Sequence, residues 1–252
     1  MNASKQMVII DALNLIRRIE AVIDSEQPQQ LINRVIIALE KVIAKFHPEY
    51  IAMVWDGNQD QWRKQLYAEY KADRKPMPES LAQLLPQIKL AIKDIGIFNL
   101  ECPYEADDTI ATLALKANQQ HLKVTIISTD KGFYQLLTDG IKIWDYFSQQ
   151  NIGIEAINFD FKVQPHQLLE YWALAGSPGN KIKGVTGIGK KGASDLLNTY
   201  PDLKSIYQNV DKLAPALQNK LSAGKQQAKI SYLLVKLKTD LTLGISLREL
   251  RL

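Results

Sequence analysis

A single cysteine, Cys102, gives this 252-residue chain nothing to pair in a disulfide, and three scattered histidines (His47, His121, His166) form no zinc-type ligand cluster. Those shortages exclude a disulfide-stapled secreted scaffold and a structural zinc module, and they fit a reducing, cytoplasmic setting. Long hydrophobic runs are missing too. No segment reaches the roughly 20 apolar residues of a membrane span, and the short apolar run in MNASKQMVIID stops at an acid instead of lengthening into a signal-peptide core. No membrane partner is expected. One further shortage is local: GSPGNKIKGVTGIGKKG, residues 176–192, contains no carboxylate.

What is present is unevenly charged. Residues 1–175 hold 18 Lys and Arg against 22 Asp and Glu, whereas residues 176–252 hold 13 against 5. An acidic part beside a basic part suits metal chemistry next to a site for a polyanion, because neutralising phosphates supplies most non-specific nucleic-acid affinity. A solvated lysine surface is the other reading of the same imbalance.

Three apolar runs end in aspartate: MVIID at Asp11, IAMVWD at Asp56 and VTIISTD at Asp130. Continuous β-branched runs read as buried strands of a mostly parallel sheet. Helical spacing fills the intervals, with Leu31, Val35, Leu39, Val42 and Ile43 on one face and Leu81, Leu84, Leu85, Ile88 and Ile92 on another. The fold class is therefore α/β, with IKIWDY a fourth strand and the ligand crevice outside the carboxyl ends of the strands. A soft boundary near residue 160 separates residues 1–160 from a helical region, 161–252, that opens with a helix between Pro165 and Gly176.

The segment YEADDTIATLALKA places Glu105, Asp107 and Asp108 directly before a helical pattern. Acids there can simply complement the helix dipole or cap it, and a strand-ending Asp is commonly a turn or cap residue. If Asp11, Asp56, Asp130, Glu105, Asp107 and Asp108 instead share one crevice, like charges about 4 Å apart repel by roughly 4 kcal/mol at an effective dielectric of 20 and call for a cation. An all-oxygen donor set suits magnesium. Asp107 is the preferred single ligand.

Two basic stretches complete the pattern. WRKQLYAEYKADRKPMPESL interleaves Arg63, Lys64, Lys71, Arg74 and Lys75 with Trp62, Tyr67 and Tyr70, which suits a single strand or else an exposed, snorkelling helix. In IKGVTGIGKKGA, glycines 184, 187 and 189 let backbone amides approach a phosphodiester, and the next helix begins with Lys190 and Lys191. Gly187, Ile188, Gly189, Lys190, Lys191 and Gly192 are the expected DNA-backbone contacts, joined by Tyr70 from the first stretch. Carbonyls near Leu174 and Ala175 would converge with those of Lys183, Val185 and Ile188 on a monovalent cation.

In chain order, MVIIDALN, VWDG, YAEYKADRKPMP, EADDTIATLA, STDKGFYQLL and GVTGIGKKGA resemble the motifs of bacterial 5'-to-3' exonucleases and flap endonucleases, a family that includes the N-terminal domain of bacterial DNA polymerase I. The resemblance runs over about residues 7–200 and, with no polymerase following, points to the stand-alone flap endonucleases of the exonuclease IX type. It implies a PIN-like α/β domain, a helical arch at about 60–85, and a helix-three-turn-helix at about 165–200 holding a potassium ion. Substrates would be DNA with a 5' flap or a 5' single-stranded end beside duplex, with no obligate protein partner. The retained acids would hold one magnesium directly and a second through waters, with Lys71 and Arg74 as catalytic groups that neutralise developing charge. Family members commonly carry Asp-Lys-Asp after the third strand and two acids before the hairpin; here Gly132, Ser177 and Asn180 stand at those positions. A flap- or 5'-end-binding protein that does not cut, and a ribonuclease of the same broad fold, are the alternatives.

Overall fold

The protein is described by a computed structural model covering residues 5–23, 28–57, 61–72 and 75–252. In chain order its elements are β1 (Gln6–Asp11), α1 (Ala12–Glu20), α2 (Pro28–Phe46), β2 (Tyr50–Trp55), α3 (Trp62–Leu66), α4 (Glu79–Asp94), β3 (Phe98–Glu101), α5 (Ala106–Gln119), β4 (Lys123–Ile127), β5 (Ile141–Asp145), β6 (Gln150–Ile152), α6 (Glu155–Phe161), α7 (Leu168–Ala175), α8 (Lys190–Thr199), α9 (Leu203–Gln208) and α10 (Pro215–Val235).

Packing divides the described residues into two units, one drawn from 1–60, 75–152 and 238–252, the other from 61–74 and 153–237. The first is a six-stranded sheet in the order β3-β2-β1-β4-β5-β6, parallel except for β6. Met7, Val8, Ile9 and Ile10 of β1 are wholly buried, which explains why the run is continuously apolar instead of alternating. At about 1.5–3 kcal/mol per buried aliphatic side chain, such strands fix the register of the whole sheet. The helical faces read from the sequence are those that pack: Leu31, Val35, Leu39 and Val42 from α2, and Leu81, Ile88 and Ile92 from α4, join the same core.

The second unit is helical. The helix expected from Pro165 begins as a 3-10 turn, Pro165–Gln167, continues as α7, and ends at Gly176, whose φ of +79° needs glycine. Gln167 holds this unit's middle together, its amide donating to the carbonyls of Leu197, Tyr200 and Pro201 where α8 ends. Two segments fall differently from the division expected at residue 160. The described part of the basic-aromatic stretch, residues 61–72, packs with the helical unit, and residues 238–252 return to the sheet unit, where Arg251 bridges to Tyr50.

Candidate active site and hairpin

β1 and β4 are neighbours, yet the chain leaves β1 toward β2 and returns from β3 to reach β4, so the strand order reverses between them. Ligand crevices of open α/β sheets form at such a switch point. Asp11, Asp56 and Asp130 all lie at this carboxyl edge, at or just after β1, β2 and β4.

Each of the three performs the local task that a strand-ending aspartate commonly performs. Asp11 caps α1 by accepting from the Asn14 amide at 3.2 Å, Asp56 accepts from the Ala106 amide at the start of α5 at 2.9 Å, and Asp130 accepts from the Gly132 amide at 2.7 Å. Capping and proximity are not exclusive. The Asp11 carboxyl is pushed up to about 7, by burial first and in the same direction by the charges of Asp56 and Asp130. The hydrogen bonds from the Asn14 amide and Ser128 work against that rise. Three aspartates distant in sequence therefore share one electrostatic neighbourhood.

The other three acids expected at this crevice, Glu105, Asp107 and Asp108, lie at the start of α5. Among the described residues no group of three or more His, Cys, Asp or Glu side chains is placed to hold one metal ion. Asp108 is buried, and its Oδ1 accepts from the Lys238 amide at 2.9 Å, fastening the C-terminal segment to α5. Glu105 and Asp107 stay half-buried in or before the first turn of α5, where the helix dipole favours negative charge. The donor set is all hard oxygen and self-repelling, and it fits an ion that keeps much of its water rather than a cage that strips it.

Sequence reading missed two residues that build this edge. Ser128, buried, donates to Asp11 Oδ2 at 3.0 Å and accepts from the Asp130 amide at 3.1 Å. Asn14 Oδ1 accepts from both the amide and the hydroxyl of Thr129, at 3.1 Å each. Together they staple the end of β1 to the loop after β4. Gly132 also gains an explanation, since a Cβ there would lie 3.1 Å from Asp130 Oδ1.

In the helical unit, two residues of the basic-aromatic stretch, Arg63 and Tyr70, are internal, while Lys64 stays exposed. Arg63 is buried, its guanidinium donating to the carbonyls of Leu234 at 2.9 Å and Lys236 at 3.1 Å, so it caps the end of α10. Tyr70, expected to face DNA, is buried with Ile182 and Leu234. Lys71 is half-buried, has φ of +52°, and places its ammonium 5.1 Å from the Tyr70 ring centroid. Arg74 lies outside the described residues.

The glycine hairpin is built as a backbone surface. A Cβ on Gly184 would lie 2.2 Å from the Leu174 carbonyl, so that glycine is needed for close packing on α7. Gly189 starts α8 without a side-chain cap, and nothing lies within 4 Å of a Cβ added there. Lys190 and Lys191 are exposed beside it. Ile188 is buried, so its side chain anchors the turn and only its backbone can meet a ligand. Lys220 of α10, unnoticed in the sequence, adds a third cation by donating to the Gly187 carbonyl at 3.1 Å. Of the carbonyls expected around a monovalent cation, that of Lys183 already accepts from both Gln227 and Ser231, which fills its two lone pairs. Those of Leu174 and Val185 accept one amide each and keep a second lone pair.

Comparison with known proteins divides the chain once, near residue 163. Residues 6–164 match the family described as 5'-3' exonuclease, N-terminal resolvase-like domain, and residues 163–252 match 5'-3' exonuclease, C-terminal SAM fold. The chain belongs to the 5'-3' exonuclease family. It is 44% identical over 247 residues to the flap endonuclease Xni of Shewanella amazonensis, covering 98% of each chain, and 45% identical over 248 residues to that of Shewanella pealeana, covering 98% and 97%. Its fold is similar to that of the T5 5'-exonuclease solved with divalent zinc ions, with a TM-score of 0.76 at 22% identity over 93% of this chain and 90% of that one. The catalytic core of Rad2 in complex with DNA substrate shares it more distantly, with a TM-score of 0.62 at 17% identity over 95% and 81%. The family's PIN-like resolvase domain is the sheet with its switch-point aspartates, and its SAM fold carries the hairpin. Among the described residues no helix is long and apolar enough to cross a membrane.

Proposed function

We propose that the chain is a structure-specific 5' nuclease, a flap endonuclease that hydrolyses DNA phosphodiester bonds with magnesium. The reading is carried by Asp11 at the switch point, its carboxyl raised first by burial and then by the charges of Asp56 and Asp130, in a chain that matches flap endonucleases along nearly its whole length. Uncompensated carboxylates aimed at one edge would repel a phosphate. With a hard divalent cation among them they attract it.

Asp11, Asp56 and Asp130 would hold that ion together with Asp107, Glu105 and Asp108, largely through its water shell, Asp108 while its Oδ1 also accepts the Lys238 amide. When bound, magnesium supplies Lewis acidity to the scissile phosphate and lowers the pKa of water beside it. Asn14 and Ser128 keep the aspartates oriented, and the α5 N-terminus adds a fixed positive dipole near Asp56. In the helical unit the amides of Gly187, Gly189 and Gly192 would receive the DNA backbone, the Ile188 amide being held by the Val185 carbonyl, with Lys190 and Lys191 neutralising phosphates and Lys71 and Arg74 offering further charge to the substrate strand. The carbonyls of Leu174, Ala175, Val185 and Ile188 would hold a potassium ion, which would supply positive charge beside that backbone. The substrate proposed is a 5' flap or 5' single-stranded end beside duplex, met in the cytoplasm.

Gly132, Ser177 and Asn180 favour one alternative, a flap-binding protein with little cleavage, because each lacks the acid that would hold a second ion. A 5'-labelled flap duplex titrated with magnesium separates the two. Metal-dependent cleavage that Asp107→Ala abolishes while flap binding persists is expected. Uncut flap at every magnesium concentration in the unaltered protein would leave only the binding reading.

A further inference from the structure

Within the helical unit, α9 and α10 enclose a groove of about 920 Å³ that the nuclease reading does not use. Its floor is apolar and aromatic, from Leu203, Tyr207, Tyr232 and Leu233, and Leu233 remains 41% exposed. The Tyr207 hydroxyl is buried with no hydrogen-bond partner, a group that ordinarily finds one. Lys204, Lys225 and Lys229 also line the groove, with no carboxylate among the lining residues, and the Lys225 ammonium stands 5.5 Å from the Tyr207 ring centroid. Such a groove suits an aromatic side chain flanked by acids.

The same chain presents such an element. α6 reads EAINFDF, and its Phe159 is 85% exposed, with Ile154 40% exposed and both Glu155 and Asp160 on the surface. The helix is not a loose end. Ile157 is wholly buried, and Phe161 packs edge-on against Tyr171 and Trp172, at 5.2 and 5.5 Å between centroids, so Phe159 is held outward on a fixed support.

We propose that a second copy of this chain docks its α6 in the α9–α10 groove, Phe159 entering between Tyr207 and Tyr232 while Glu155 and Asp160 meet Lys204, Lys225 and Lys229. Helix and groove are different surfaces, so the contact is heterologous and adds copies head to tail unless two contacts close a pair. A seven-residue helix covers far less than the roughly 800 Å² per partner of a standard interface, so association is weak, with a dissociation constant on the order of tens of micromolar. Charge pairing at the rim makes it salt-sensitive. The inference does not depend on the nuclease reading.

Sedimentation velocity of the full chain at low salt, from about 1 to about 200 µM, tests it. The weight-average sedimentation coefficient is expected to rise with concentration for the unaltered protein and to stay at the monomer value for Phe159→Ser, a change at an exposed site, and for Lys225→Glu with Lys229→Glu. Mixing the two blocked variants, one with an intact groove and the other with an intact α6, should restore a species no larger than a dimer. A monomer at every concentration, or equal association by Phe159→Ser, would overturn the proposal. So would a monomer whose groove binds a labelled oligonucleotide in a manner abolished by the two lysine reversals, since the occupant would then be nucleic acid.

Discussion

Ser128 Oγ donates to Asp11 Oδ2 at 3.0 Å across the switch point, joining the end of β1 to the segment after β4. The same oxygen receives the Asp130 amide, so one hydroxyl orients two of the aspartates proposed to hold the metal. Outer partners of ligating carboxylates commonly tune metal affinity by tenfold or more. Ser128→Ala is expected to weaken magnesium by about tenfold, read as the concentration giving half the magnesium-induced rise in melting temperature. Ser128→Thr should recover most of it. An unchanged midpoint in Ser128→Ala would show that the hydroxyl is only packing.

Asp11 makes the metal-free fold pH-sensitive. Its carboxyl titrates near 3.8 when exposed and at about 7 in the fold, so the folded state keeps its proton longer. As pH climbs from 4 to 7 the unfolded chain ionises first, and stability is lost progressively until the penalty is complete above 7. The shift corresponds to a cost on the order of 4 kcal/mol at alkaline pH. In chelator, Asp11→Asn, which preserves the cap, should therefore unfold at a higher temperature than the unaltered protein at pH 8 and at the same temperature near pH 4. Equal melting temperatures at pH 8 would mean that the buried carboxyl is not strained.

Arg63 distinguishes a structural cation from a DNA-binding one. Arg63→Ala leaves the carbonyls of Leu234 and Lys236 without their donor and empties a buried site, an expected loss of about 2–4 kcal/mol in denaturant unfolding. Near-full stability, accompanied instead by a shallower salt dependence of DNA binding, would place Arg63 on the nucleic acid.

What could be read from the sequence depended on whether neighbours in sequence decided the outcome. MVIID, IAMVWD and VTIISTD were legible because unbroken β-branched runs have few homes other than a buried parallel sheet, and the α2 and α4 faces because their spacing is local. The short strands FNLE and QNI were not, since each exists only by pairing with β2 or β5. Arg63 and Tyr70 sit in a stretch that reads the same for a DNA-facing helix and for a helix cap. The choice is made by α10, 171 residues away from Arg63 at Leu234. The aspartates were found, but their geometry was not. Nothing local tells whether a strand-ending acid caps a helix, faces a metal or does both, and the serine that ties two of them together is an ordinary residue in the sequence.

The hairpin glycines give the sharpest separation of folding from binding. Gly187 has φ of +79°, and a Cβ there would lie 2.9 Å from the Lys220 side chain, so Gly187→Ala should cost about 1 kcal/mol of stability and loosen the turn. Gly189 has φ of −92°, open to any residue, and nothing lies within 4 Å of an added Cβ. The fold itself therefore gives glycine at 189 only the modest N-cap preference over alanine. A phosphate approaching the α8 N-terminus gives a stronger reason, because a methyl would stand between it and the amides. Gly189→Ala is expected to change the melting temperature by only a degree or so, the lost N-cap preference offsetting the reduced chain entropy, while weakening duplex binding by about tenfold at moderate salt. The comparison is made by fluorescence anisotropy with a flap duplex in calcium, beside the melting curve of the same preparation. Full DNA affinity in a normally stable Gly189→Ala would show that the hairpin is not where the backbone of the nucleic acid lies.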